Sequence, residues 1–213
     1  PGPSPSRMAH FWCEMALDAD ARGRDAEAAD ALCKAREASP QSARALVLTG
    51  DRLARKGQHA EALVAWAELM TASPSSFALV APRYAESAAA VGQAELAKEK
   101  LAAQYERSAS VDLLRARLQL ESEPAARLAL LKEHLARRPT ISAVAGLLEE
   151  EVSHEQVPTL AETRSLQQVV ATAAKPLQRY RCAACGFEAQ HYFWQCPGCQ
   201  SWDSYPPLRL EEL

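Results

Sequence analysis

The chain of 213 residues contains six cysteines, and four of them fall into a chemically meaningful pattern, Cys182-x2-Cys185-x10-Cys196-x2-Cys199. A Cys-x-x-Cys turn brings two sulfurs to one point while nearby backbone N–H groups stabilise thiolate charge. Two such turns supply the ligands of a tetrahedral metal site. Gly186, directly after the first pair, permits the left-handed backbone such a turn needs, and Pro197-Gly198 is placed to shape the second. The expected ligands are Cys182, Cys185, Cys196 and Cys199, holding one metal ion. Zinc suits an all-sulfur tetrahedron, and iron accepts the same geometry. Four protein sulfurs close the coordination shell and leave no position for water or substrate. The site therefore reads as structural rather than catalytic, with an iron-based redox or metal-sensing module as the alternative. His191 lies in the arm between the pairs and is expected at the surface. Cys13 and Cys33 stand singly in helical patterns and read as small apolar side chains.

The neighbourhood of the cysteines bears on what the site serves. From Tyr180 onward Arg181 and Arg209 face Glu188, Asp203, Glu211 and Glu212, so the segment is net acidic. Phosphate binding needs clustered cations, and the whole chain carries a net charge of -3, so no nucleic-acid partner is expected. Seven aromatic residues crowd the same segment: Tyr180, Phe187, Tyr192, Phe193, Trp194, Trp202 and Tyr205. A module of about 34 residues is too small to bury that much apolar surface by itself. It is expected to dock on the rest of the chain, with the metal holding it folded.

The remainder is built from a repeat. Gly23–Pro40 (GRDAEAADALCKAREASP) aligns with Gly57–Pro74 (GQHAEALVAWAELMTASP), both ends 34 residues apart. A third copy, Gly92–Ala109, follows after one extra residue, and a degenerate fourth ends at Pro139. This is the period of the tetratricopeptide repeat, a pair of antiparallel helices. Ala28 and Ala62 fall where the helices of a pair approach closely, and Leu32 and Trp66 fill the large apolar position four residues later. Pro40 and Pro74 stop the second helix, and Gly23 and Gly57 break the chain within each pair. Trp12, Leu46, Gly50 and Leu53 take first-helix packing positions. Such repeats stack into a right-handed superhelix with a concave, protein-binding face and carry no catalytic groups of their own. The first-helix residues His10, Arg44, Asp51 and Arg55 are expected to point into that groove.

The expected organisation has four parts. Residues 1–7 (PGPSPSR) are set aside as an unstructured cloning remnant, 8–157 form the repeats, 158–178 a capping helix and linker, and 179–213 the metal module. One helix is expected over Ile141–Glu151, and a last amphipathic one over Thr159–Ala174, stopped before Pro176. No run approaches the roughly 18 apolar residues that span a bilayer, so the fragment itself is expected to be soluble, without membrane contact.

Repeats followed by YRCAACGF, then W-x-CPGC-x-x-W, resemble the lipopolysaccharide assembly protein B family. The resemblance implies an all-α tetratricopeptide solenoid with a small C-terminal rubredoxin-like zinc ribbon, whose metal is held by Cys182, Cys185, Cys196 and Cys199. It implies no enzymatic activity. Members of that family carry an N-terminal membrane anchor and further repeats on the cytoplasmic side of the Gram-negative inner membrane, so the chain is expected to be a C-terminal fragment. They act as adaptors, working with the membrane protease FtsH to promote degradation of LpxC, the deacetylase that commits material to lipid A. The ribbon is also similar to that of RadA/Sms-type repair ATPases, but the chain has no Gly-x4-Gly-Lys-Ser/Thr loop.

Overall fold

A computed structural model describes residues 4–153 and 160–213. They form two compact units, the first ending at Ala94 and the second running from Glu95 to Leu213.

The first unit contains α1 (Pro5–Ala21), α2 (Asp25–Ala38), α3 (Ala43–Arg55), α4 (His59–Ala72), a 3-10 turn (Ser75–Leu79) and α5 (Ala81–Ala90). The helices α1 and α2 pack as a pair, and so do α3 and α4. The start of α1 departs from expectation. Ser4 caps it by accepting a hydrogen bond from the Arg7 N–H, and Pro5 occupies the first turn, where its missing N–H costs nothing. Of the residues read as a remnant, Pro5, Ser6 and Arg7 are therefore part of the helix and Ser4 is its cap.

The glycine corners come out alike. Gly23, Gly57 and Gly92 have φ of +71°, +76° and +70°. At each corner the next residue's N–H reaches back five residues, Arg24 to the Ala19 carbonyl, Gln58 to Leu53 and Gln93 to Ala88. These bonds satisfy carbonyls that a helix end would leave open. The second helices end at Ala38 and Ala72, two residues before Pro40 and Pro74. Ala28 and Ala62 are fully buried, as is Trp66. Gly50 permits that close approach, because a Cβ there would lie 2.2 Å from the Trp66 Nε1. Polar contacts reinforce the packing. The nearly buried Arg52 of α3 donates from Nε to Asp20 at 2.9 Å and also pairs with Asp25 at the start of α2.

The second unit contains α6 (Ala94–Arg107), α7 (Val111–Leu120), α8 (Pro124–Arg137), α9 (Ile141–Ser153) and α10 (Leu160–Leu177). A small terminal module follows, with the antiparallel strands β1 (Tyr180–Arg181) and β2 (Glu188–Ala189). The expected start of the last helix at Thr159 lies outside the described residues. Its expected stop is corrected: α10 continues through Pro176 to Leu177. Pro176 stands in the final turn, so only one backbone bond near the helix end is forfeited. Ala174 is buried while Val169 and Ala173 are exposed, so the packed face is narrower than the apolar pattern suggested.

His134 of α8 is fully buried. Its Nδ1 shares a 2.6 Å hydrogen bond with the Tyr105 hydroxyl, and its Nε2 shares one of 3.2 Å with Thr140. Burial holds its pKa down to about 4, helped by Arg138 and Arg117 and opposed by Glu133. Unfolding restores the ordinary value near 6.5, so between about 4 and 6.5 the unfolded chain binds the extra proton. The neutral-histidine contribution is complete above pH 6.5 and is lost as pH falls through this window, with a slope of up to ~1.4 kcal/mol per pH unit. Urea titrations from pH 7 to pH 5 are expected to show this loss for the second unit, and His134→Gln to flatten it. For the first unit, Gly50→Ala is expected to cost about 1–3 kcal/mol through overpacking against Trp66, read as a lower urea midpoint.

Candidate metal centre

The terminal module is organised by two turns of nearly the same construction. In the first, the Cys182 N–H donates to the Phe187 carbonyl and the Gly186 N–H to the Cys182 carbonyl, each at 2.9 Å. In the second, the Cys196 N–H donates to the Ser201 carbonyl at 2.9 Å and the Gln200 N–H to the Cys196 carbonyl at 2.8 Å. The residue after each pair is left-handed, Gly186 with φ +77° and Gln200 with φ +59°. The second turn therefore obtains its reversal from Gln200 rather than from Gly198. Gly198 serves close packing instead, since a Cβ there would stand 3.2 Å from the Phe187 ring.

The turns face each other and bring all four sulfurs within 4.8 Å of one another. Cys182 and Cys199 are 3.9 Å apart and Cys185 and Cys196 are 3.6 Å apart. A tetrahedron with zinc–sulfur bonds of about 2.3 Å has edges of about 3.8 Å, so the four side chains fit one tetrahedral metal ion. The first cysteine of each pair is buried and the second is exposed. Local donors favour thiolates at the buried positions. Ser204 and then the Cys185 and Ala184 amides hold the Cys182 thiol down to about 6, against the effect of burial. At Cys196 the Cys199 and Gly198 amides and the Tyr205 hydroxyl outweigh burial and lower it too. His191 is exposed and is no part of the cluster. Of the other thiols, Cys13 is buried, which pushes it up to about 11, and Cys33 is exposed.

The aromatic residues pack around this core. Tyr192 meets Tyr180, Trp194 and Tyr205 edge-on, with centroids 5.5, 5.0 and 6.0 Å away. The Tyr205 hydroxyl donates to the Phe187 carbonyl at 3.2 Å and lies 3.8 Å from the Cys196 sulfur. The module also docks on the helices of its own unit, as its aromatic content predicted. The means are largely ionic. Arg209 donates to both carboxylate oxygens of Asp112 on α7 at 3.0 Å, and to the Gln178 carbonyl at 2.7 Å. Its guanidinium stacks over the Tyr180 ring at 4.2 Å. Glu212, with a fully buried side chain, accepts from the Val111 N–H at 2.9 Å and the Arg209 N–H at 2.8 Å, with Arg138 at 3.5 Å. Glu211 accepts from the Ser142 N–H at 3.0 Å. Two carboxylates thus cap the N-termini of α7 and α9.

The residues expected in a groove divide between two settings in the first unit. His10 and Arg44 are buried together, Arg44 donating to the His10 carbonyl at 3.5 Å and to Glu14 at 2.6 Å. Asp51 and Arg55 instead line a cleft of about 490 Å³ with Leu17, Leu48 and Arg83. There Asp51 pairs with Arg83 at 2.9 Å and Arg55 with Asp20 at 3.2 Å. The helical period could point to α1 and α3 but could not separate interior from cleft. Sequence reasoning missed Asp112, Arg209, Glu211 and Glu212, whose roles depend on partners 69 to 101 residues distant. None of the described helices is long and apolar enough to cross a membrane.

Comparison with known proteins agrees with this geometry. Residues 180–207 match the rubredoxin metal binding domain. Over 208 residues the chain is 25% identical to lipopolysaccharide assembly protein B of Escherichia coli (strain K12), an alignment covering 95% of this chain and 53% of that protein. A 47-residue alignment, 34% identical, relates it to lipopolysaccharide assembly protein B of Haemophilus influenzae, covering 22% of this chain and 12% of that protein. The chain spans about half the length of the Escherichia coli relative. Along almost its whole length, the terminal metal-binding ribbon included, the chain is similar to lipopolysaccharide assembly protein B.

Proposed function

We propose that this chain is the protein-recruiting part of a non-enzymatic adaptor that regulates lipopolysaccharide biosynthesis at the cytoplasmic face of the inner membrane. The observation that carries the reading is the convergence of four cysteine sulfurs into a closed set within a module anchored to helical repeats. A closed sulfur shell gives a metal no open position for substrate. Helix pairs of 34-residue period are built to present surfaces to other proteins. In this reading the metal is zinc and its task is to hold the ribbon folded.

The partners follow from the family resemblance: FtsH as the protease and LpxC as the protein delivered to it. The cleft bearing Asp51 and Arg55 is the proposed contact surface, since Arg55 and Arg83 present partly exposed cationic heads. His10 and Arg44 would support it from beneath, by fixing α1 to α3.

Two measurements test the proposal. Calorimetry with the zinc-loaded chain is expected to show saturable binding to LpxC or to the cytoplasmic part of FtsH, weakened about tenfold or more by Arg55→Glu. Absence of binding to both would overturn the partner assignment. Metal analysis of protein purified without added metal is expected to give one zinc per chain and no visible absorption, with the metal lost in Cys182→Ser. Reversible iron–sulfur bands that alter partner binding would instead establish the redox reading.

A further inference from the structure

The residues after the second metal turn do more than finish the ribbon. Tyr205 belongs to the metal core: its hydroxyl ties to the Phe187 carbonyl, and its own carbonyl accepts from Tyr192 at 3.0 Å. Pro206 and Pro207 then form a short link whose φ angles are fixed by their rings. Beyond the link, the Leu210 N–H donates to the Arg179 carbonyl at 2.9 Å, and Arg209 is clamped between Asp112 and Tyr180. Glu212 and Glu211 then receive the first-turn amides of α7 and α9. A continuous path therefore leads from the Cys196 turn to the first-turn amides of two helices, beside the local caps that Ser110 and Thr140 give the Leu113 and Ala143 amides.

We propose that residues 208–213 are a latch whose engagement depends on metal occupancy, so that binding of metal at the four cysteines closes the N-termini of α7 and α9. The two β-strands are only two residues long each, too little to hold the turns in register by backbone pairing. When bound, the metal supplies the cross-link that holds the turns together. Tyr205 is then fixed, and the stiff proline link aims Arg209 and the two glutamates. Without that cross-link Tyr205 loses its seat, and the carboxylates no longer reach Val111 and Ser142. The amides at those helix starts are then open to solvent while the interiors of α6 and α8, which rest on Tyr105 and His134, stay closed. Because the coupling is thermodynamic it runs both ways: weakening the latch weakens metal binding by the same factor.

The experiment uses the whole 213-residue chain, zinc-loaded or treated with a chelator, and reads amide hydrogen exchange. Chelation is expected to speed exchange at Val111 and Ser142 at least about fivefold, the lower end of ordinary coupling between sites, with α3, α4 and the interiors of α6 and α8 unchanged. Glu212→Ala is expected to open the same amides with zinc present, and to lower zinc affinity by a similar factor in competition with a chromophoric chelator. If Glu212→Ala does not fold, Glu211→Ala gives the same reading at Ser142 alone. Unchanged exchange on chelation, or unchanged zinc affinity in the variant that folds, overturns the latch. So does equal opening of α6 and α8, which would mean that the metal holds the whole unit rather than its helix ends.

Discussion

A carboxylate removed from water must be met by donors, and Glu212 is met by two backbone amides and a guanidinium drawn from three separate parts of the second unit. Burial lifts its pKa above the ordinary carboxylate value, against the pull of the Arg209 and Val111 amides. Such a group is tolerated only when its donors are in place. Its neighbour Arg209 faces the same requirement and meets it with Asp112, the Gln178 carbonyl and the face of Tyr180. The position of the ribbon on the helices follows from these pairings, because a displaced ribbon would leave several buried charges unanswered at once. Apolar contact alone would specify that position less sharply, since it tolerates sliding.

The first unit solves a different problem. Its helices approach closely through alanines and Gly50, and a large ring, Trp66, fills the space that remains. The corner after each first helix is closed by the same backbone bonds at Gly23, Gly57 and Gly92. Arg52 then ties the end of α1 and the start of α2 to α3. Regular packing therefore dominates here, whereas the second unit departs from the period and relies on specific polar partners.

That contrast explains what could be read from the residues. Gly23 and Gly57, Ala28 and Ala62, and Pro40 and Pro74 are legible because each constraint acts within one helix pair and recurs at fixed spacing. The four cysteines are legible because the spacing within each turn is itself the ligand geometry. Arg209, Glu211 and Glu212 were legible only as net charge, and the acidic residues argued against nucleic acid without disclosing that two of them cap helices. Gln200 was overlooked because a left-handed position is usually sought at glycine. Pro176 misled because a proline in a last turn breaks little. Ser4 and Pro5 looked featureless, yet together they begin α1.

The separation between Val111 and Glu212 also has a bearing on how the molecule comes into being. The amide and the carboxylate that answers it are 101 residues apart. At a synthesis rate of about 5–20 residues per second, roughly 5–20 s pass between the making of one and the other. Throughout that interval the Val111 amide lacks its carboxylate, although Ser110 already caps α7 at the Leu113 amide, and for most of it the two thiol pairs are still to come. The carboxylate contacts at Val111 and Ser142 are therefore completed only when the last residues arrive, well after the helices that they serve.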